Sequence, residues 1–130
     1  MDCLFCKIVA GEIPSAKVSE SEHCLAFRDI GPKAPTHVLV IPKKHYPSMN
    51  ELDDPALAGA LFEMARSVAA QEGVAAAGYR VVVNTGTDGA QTVHHLHLHV
   101  LGGRKMKWPP GSGAAHDAWC RCWRTPAWLR

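Results

Sequence analysis

The chain has 130 residues, 47% of them hydrophobic, enough for one globular domain with a single core and too few for two. Its formal charge of +2 divides unevenly: residues 1–103 hold 8 Lys/Arg against 11 Asp/Glu and residues 104–130 hold 6 against 1, so the positive balance belongs to the tail alone. No run approaches membrane-spanning length, Asp2 and Lys7 interrupt the segment where a secretory signal would be apolar, and an odd count of five cysteines fits a reducing compartment better than a disulfide framework. These features point to a cytoplasmic protein with no membrane partner.

Residues 3–9 (CLFCKIV) read as a short helix ended by Gly11 and closed off by Pro14. Two strand-like runs follow, at 16–18 and 24–29, joined by the polar Ser-Glu-Ser-Glu turn as a hairpin. A stronger strand spans 36–41 (THVLVI), opening after Pro35 and stopped by Pro42. The one long helix starts at an Asp53 or Asp54 cap with Pro55 in its first turn. It carries Leu57, Leu61, Met64 and Val68 on one core-facing stripe and stops at Gly73. Residues 80–84 (RVVVN) form another strand, and 84–89 (NTGTDG) a tight glycine-rich loop. That loop reads either as a plain hairpin connection or as a source of donors for a phosphate.

The run His95-Leu96-His97-Leu98-His99-Val100-Leu101 then alternates imidazoles with aliphatic side chains. In a strand of side-chain period two, the histidines share one face and Leu96, Leu98 and Val100 enter the core. About five strands in short connections, with one good helix among them, favour an antiparallel α+β arrangement. After Gly103 the chain becomes basic and tryptophan-rich without periodicity. Residues 1–111 are therefore read as the domain and 112–130 as an appended tail.

One histidine on a strand is ordinarily a packed residue; three at i, i+2 and i+4 call for chemistry. A single metal shared by all three is opposed by reach, because the outer two would lie about 13 Å apart along a strand at ~3.3 Å per residue, whereas zinc holds its nitrogens within about 2.1 Å. The remaining reading is a nucleophile with helpers. Crowded imidazoles resist full protonation, a neutral imidazole attacks phosphorus well, and the central His97 has a neighbour on each side. A phosphoryl or nucleotidyl group is the fitting substrate, with Gln91 and Thr92 near enough in sequence to donate to it.

This histidine run matches the His-φ-His-φ-His-φ-φ signature of the histidine triad (HIT) superfamily. The likeness extends through Lys7-Ile8, Gly11-Glu12-Ile13-Pro14, Cys24-Leu25-Ala26-Phe27, Asp29-Ile30, Ala34-Pro35-Thr36-His37, Ile41-Pro42-Lys43-Lys44-His45, Asn84, Gly102-Gly103-Arg104 and Trp108-Pro109-Pro110-Gly111. Over residues 3–111 the chain resembles the HINT branch.

The resemblance implies an α+β fold with a five-stranded antiparallel sheet, one long and one short helix, and a homodimer with a continuous ten-stranded sheet. It implies hydrolysis of the P–N bond of purine nucleoside 5′-monophosphoramidates (AMP or GMP moiety) through a nucleotidyl-His97, with no cofactor required for catalysis. On that pattern His99 and Thr92 touch the phosphate and leaving group, and His37 orients the cluster. Asp29 accepts the ribose hydroxyls, Phe27 and Ile30 line the base pocket, Asn84 lies near the ribose phosphate, and Trp108 approaches the partner protomer's site. A dinucleoside polyphosphate hydrolase of the same superfamily and a nucleotide-binding scaffold are the alternatives.

Three positions depart from the branch. Ala90 stands where glycine is usual, a cost only if the position needs positive φ. Thr92 replaces serine and keeps its hydroxyl. His94 replaces tyrosine and, by strand alternation, points away from the triad.

Cys3-x-x-Cys6 has the spacing of half a tetrahedral zinc site, or is a pair of reduced thiols. The resemblance completes a structural zinc site with His45 and His95. In the tail, His116 with Cys120 and Cys122 offers only three ligands. Its Arg121, Arg124 and Arg130 with Trp119, Trp123 and Trp128 read as a nucleic-acid or membrane patch, or as a solvated tail; nucleic acid is not the expected partner.

Overall fold

The computed structural model describes residues 2–111; the tail features named above lie outside the described residues. Helix α1 (Leu4–Val9) is followed by strands β1 (Lys17–Glu20), β2 (Cys24–Arg28) and β3 (Thr36–Pro42), helix α2 (Pro55–Gln71), and strands β4 (Tyr79–Val82) and β5 (Leu98–Gly102). The strands form one antiparallel sheet in the order β1-β2-β3-β5-β4, so the histidine-bearing β5 inserts between β3 and β4. Five strands and two helices match the expectation. A 3₁₀ turn at Met49–Glu51, capped by Ser48, lies between β3 and α2 and had no clear signal in the sequence.

Each helix end has its chemical cause. The Asp54 carboxylate accepts the Leu57 N–H and Pro55 fills the first turn of α2, while Gly73, at φ 75°, takes the left-handed turn after it. Leu57, Leu61, Met64 and Val68 face the sheet as their spacing predicts, packing on Ala26, Val38, Val40, Leu98 and Val100.

The opposite face holds a smaller cluster of Phe5, Leu25, Phe27, Leu39 and Ile41 beneath α1. Because both faces are covered, β3 reads as the unbroken apolar run VLVIP after His37. The register pairs Leu39 with His99 and His37 with Leu101, which puts His37 and His99 on the α1 face. The long helix therefore supports the sheet from one side and leaves the other for a site.

The histidine run departs from expectation. Only Leu98–Gly102 is strand, and residues 95–97 approach it as irregular backbone. Bonds outside the ladder hold them: the Leu96 N–H donates to the Tyr46 carbonyl, and the His95 carbonyl accepts from the His97 ring. Leu96, Leu98 and Val100 still enter the α2 core while His97 and His99 line the cavity on the other face, so the alternation of faces outlasts the strand that was its reason. The alternation does not reach His94, which is exposed and borders a cavity with Cys3, His45 and Thr92 rather than the core face.

Candidate active site

Two adjoining cavities meet at His99, Thr92, Asp29 and Ile30. One, about 640 Å³ and largely apolar, is walled by Phe5, Ile8, Ile13, Phe27, Leu39 and His97, among others. The second, about 470 Å³, is bounded by Lys33, His37, Val82, Asn84 and Leu101. A largely apolar cavity adjoining one that Lys33, His37 and Asn84 reach suits an aromatic base joined to a sugar phosphate.

The hydrogen bonds assign each imidazole a tautomer. His97 is buried, and its Nδ1 lies 2.7 Å from the His95 carbonyl, which only accepts; Nδ1 therefore carries the proton and Nε2 keeps a free lone pair. His37 Nδ1 accepts the Lys33 backbone N–H at 3.0 Å, so its proton sits on Nε2 and is donated to His99 Nδ1 at 2.9 Å. Neutral His99 then carries its proton on Nε2. The chain of bonds yields one imidazole with a free lone pair beside another that donates, their ring centroids 4.9 Å apart. Asp29 stands behind His37, its Oδ2 3.4 Å from Nε2, while its Oδ1 accepts the Gly31 N–H.

Burial keeps this cluster uncharged. Desolvation lowers the pKa of His37 and of His97 below the ordinary imidazole value, partly opposed by the Asp29 charge. His99 falls to about 4, through burial first and then repulsion from His97 and His37.

Of the residues singled out from sequence, His97, His99, Thr92, Phe27, Asp29 and Ile30 line the larger cavity, and His37 and Asn84 join the smaller one. Gln91 lines neither cavity. It is buried, with its amide nitrogen donating to the Pro47 and Val93 carbonyls and its oxygen accepting the Gly86 N–H, so it holds the loop's shape. Trp108 is 82% exposed and borders neither cavity of its own chain. Phe5 was not anticipated, because α1 carries no signal beyond an apolar segment. Its ring stands edge-on to His97 at 5.2 Å and to Phe27 at 5.5 Å.

The loop between β4 and the histidines is bonded to itself: Asn84 Nδ2 donates to the Gly89 carbonyl, and the Gln91 N–H to the Gly86 carbonyl. A Cβ at Gly89 would lie 2.3 Å from the Thr85 oxygen. Ala90 has φ 62°, the one non-glycine residue with positive φ among the described residues. The departure from glycine therefore carries the cost foreseen for it. Ala90→Gly should stabilise the protein by roughly 0.5–1 kcal/mol, part of the relief being offset by glycine's freedom in the unfolded chain. Calorimetry should show Tm rising by about 2–4 °C.

A second cluster lies beyond His97. Cys3 Sγ, Cys6 Sγ, His45 Nδ1 and His95 Nδ1 all fall within 4.8 Å of one another. The separations are 3.3 Å for Cys3–His95, 3.4 Å for Cys6–His45, 3.6 Å for Cys6–His95 and 3.2 Å for His45–His95. A tetrahedral zinc with these ligands has edges of about 3.3–3.8 Å, so the donor set fits. His95 is fully buried and donates Nε2–H to the Pro42 carbonyl at 2.8 Å, which turns the Nδ1 lone pair to the thiols, as second-shell carbonyls do for metal-bound histidines. Thus His95 serves this cluster, while His97 and His99 face the cavities.

The family model described as HIT domain matches residues 10–106. The chain belongs to the HIT domain family. An uncharacterized HIT-like protein of Synechococcus elongatus is 51% identical over 112 residues, covering 85% of this chain and 97% of that one. A HIT family hydrolase from Legionella pneumophila superposes with a TM-score of 0.82 at 51% identity, covering 85% of this chain and all of the other. A histidine triad protein from Clostridium difficile gives 0.80 at 44%, covering 87% and 97%. The HIT fold of this chain is thus an α+β fold with a five-stranded antiparallel sheet. No helix among the described residues is long and apolar enough to cross a membrane.

Proposed function

We propose that this HIT protein is a hydrolase of the HINT type, cleaving the P–N bond of purine nucleoside 5′-monophosphoramidates. The observation that carries the reading is the tautomer pattern: His97 Nε2 has a free lone pair at the wall of the cavity, and a neutral, donating His99 stands beside it.

In this reaction His97 Nε2 attacks the α-phosphorus, the P–N bond breaks, and the amine leaves with a proton relayed through the Thr92 hydroxyl, which a proton of the incoming water later replaces. Water then attacks the nucleotidyl-histidine, releasing the nucleoside monophosphate and restoring His97. His99 Nε2–H donates to a phosphate oxygen as charge develops, and the Thr92 hydroxyl serves the leaving nitrogen. Asp29 holds the ribose diol, Phe27 and Ile30 flank the purine, and Asn84 lies beside the ribose phosphate. Gln91 contributes by shaping the loop. His37 fixes the His99 tautomer.

The reading includes a zinc ion held by Cys3, Cys6, His45 and His95, which would tie α1 to the sheet and which catalysis does not require. It also includes a homodimer joined at the β4 edge, where Tyr79 and the nearby Phe62 of α2 expose large apolar surface. In that dimer Trp108 would reach the partner protomer's site.

Comparing adenosine 5′-phosphoramidate with diadenosine polyphosphates tests the assignment. The phosphoramidate should be turned over with kcat/KM at least about 100-fold higher, a difference of roughly 2.7 kcal/mol in transition-state binding. Preference for the polyphosphate would move the protein to the other hydrolase class.

A further inference from the structure

The cluster of two thiols and two imidazoles touches the nucleophile from two directions. Phe5, which lies between Cys3 and Cys6 and immediately precedes Cys6, is buried with its ring perpendicular to His97 (89°, 5.2 Å) and inclined at 67° to His95 (5.8 Å). His95 turns its ring toward the thiols and its carbonyl toward His97 Nδ1, 2.7 Å away. One residue thus offers a ligand atom and the acceptor that fixes the nucleophile's tautomer. The six residues of α1 cannot hold a helix alone, and their fixed points are the Cys3 cap and the packing of Phe5. That same helix supplies Leu4, Phe5 and Ile8 to the cavity wall.

From this geometry we infer that occupancy of the Cys3–Cys6–His45–His95 cluster by a thiol-seeking divalent cation of the zinc class is energetically coupled to nucleotide binding, with Phe5 and the His95 carbonyl as positioning groups for His97. The inference rests on the nucleotide reading above and goes beyond a structural role for the ion. A cation that draws the four donors together orders α1, and α1 orders the wall against which the nucleotide packs and the imidazole that attacks it. Coupling of this kind is reciprocal: whatever factor the ion adds to nucleotide affinity, the nucleotide adds to ion affinity.

The test uses the full chain, zinc, and AMP as a nucleotide that is not turned over. Zinc affinity is measured by competition with a chromophoric chelator, with and without saturating AMP, and AMP affinity by calorimetry on the zinc-loaded and chelated protein. We expect one zinc per chain and an increase of about tenfold in each affinity caused by the other ligand. Phe5→Leu, which keeps an apolar side chain and all four donors, should still bind one zinc but reduce the coupling to within twofold of none. On the zinc-loaded variant kcat should fall by about tenfold or more, with a smaller rise in KM; a change in KM alone would reduce Phe5 to a lining residue and overturn its positioning role.

Equal zinc affinity with and without AMP would overturn the coupling while leaving the nucleotide reading intact. Absence of AMP binding in every state would overturn both. If the chelated protein unfolds, the comparison of Phe5→Leu with the native chain, both zinc-loaded, still decides, because unequal kcat with equal zinc content supports the positioning role and equal kcat refutes it.

Discussion

Replacing His97 with alanine should leave a folded protein whose turnover of a nucleoside phosphoramidate falls by about 10⁴-fold or more, since loss of a covalent nucleophile removes the reaction path and not one of its aids. His97 is the one imidazole of the triad with its Nδ1 proton committed to a carbonyl, its Nε2 lone pair left free and its side chain in the cavity lining. Neither neighbour can substitute. His95 Nε2 is bound to the Pro42 carbonyl and its Nδ1 faces the thiols, while His99 Nδ1 is occupied by His37. His99→Ala should cost less, about 10²- to 10³-fold, as the loss of a donor to developing negative charge. Steady-state assays with circular dichroism as a control for folding measure both. Turnover within about tenfold of native in His97→Ala would remove it as nucleophile.

Acidification should weaken the fold and the activity together. Four buried or half-buried imidazoles, His37, His95, His97 and His99, are held neutral with folded-state pKa values below the ordinary 6.5, His99 at about 4. Above about pH 7.5 neither state is protonated and stability is complete. As pH falls from 6.5 toward 4 the unfolded chain binds protons that the folded chain refuses, so stability is lost progressively, and the His99 share levels off only below about pH 4. That share alone is on the order of 3 kcal/mol. Between pH 7.5 and 4.5 Tm should drop by about 10 °C or more. His99→Asn, which cannot titrate, should flatten the curve. The acid limb of kcat/KM should lie below pH 6.5, because His97 attacks as the neutral base and burial holds it neutral into mildly acidic solution. A Tm that is flat over this range, or a limb above 6.5, would contradict the burial-driven neutrality of the cluster.

The sequence showed the strands through their apolar runs and showed α2 through its cap, proline and stripe, because those signals are local. The alternation that singled out His97 was real in the faces the side chains enter and wrong in cause, since residues 95–97 are held by side-chain and loop bonds rather than by a ladder. The different fates of the three histidines were not legible from alternation alone. They depend on which carbonyl or imidazole each meets, and Pro42, Lys33 and His37 come from distant parts of the chain. Gln91 shows the limit in the other direction: its place beside the histidines suggested a donor to substrate, yet its amide is spent inside the loop. Phe5 was invisible because packing against His97 leaves no mark on a hydrophobic segment. Ala90 was legible as a departure, and its positive φ gave that departure a cost.

The most direct measurement is mass spectrometry of the protein mixed with adenosine 5′-phosphoramidate and quenched within a turnover. The expected spectrum shows one added nucleoside monophosphoryl group, mapped by fragmentation to His97 and missing from His97→Ala. Turnover with inversion of configuration at a chiral phosphorus and no adduct would mean that water attacks directly, and covalent catalysis by His97 would be wrong.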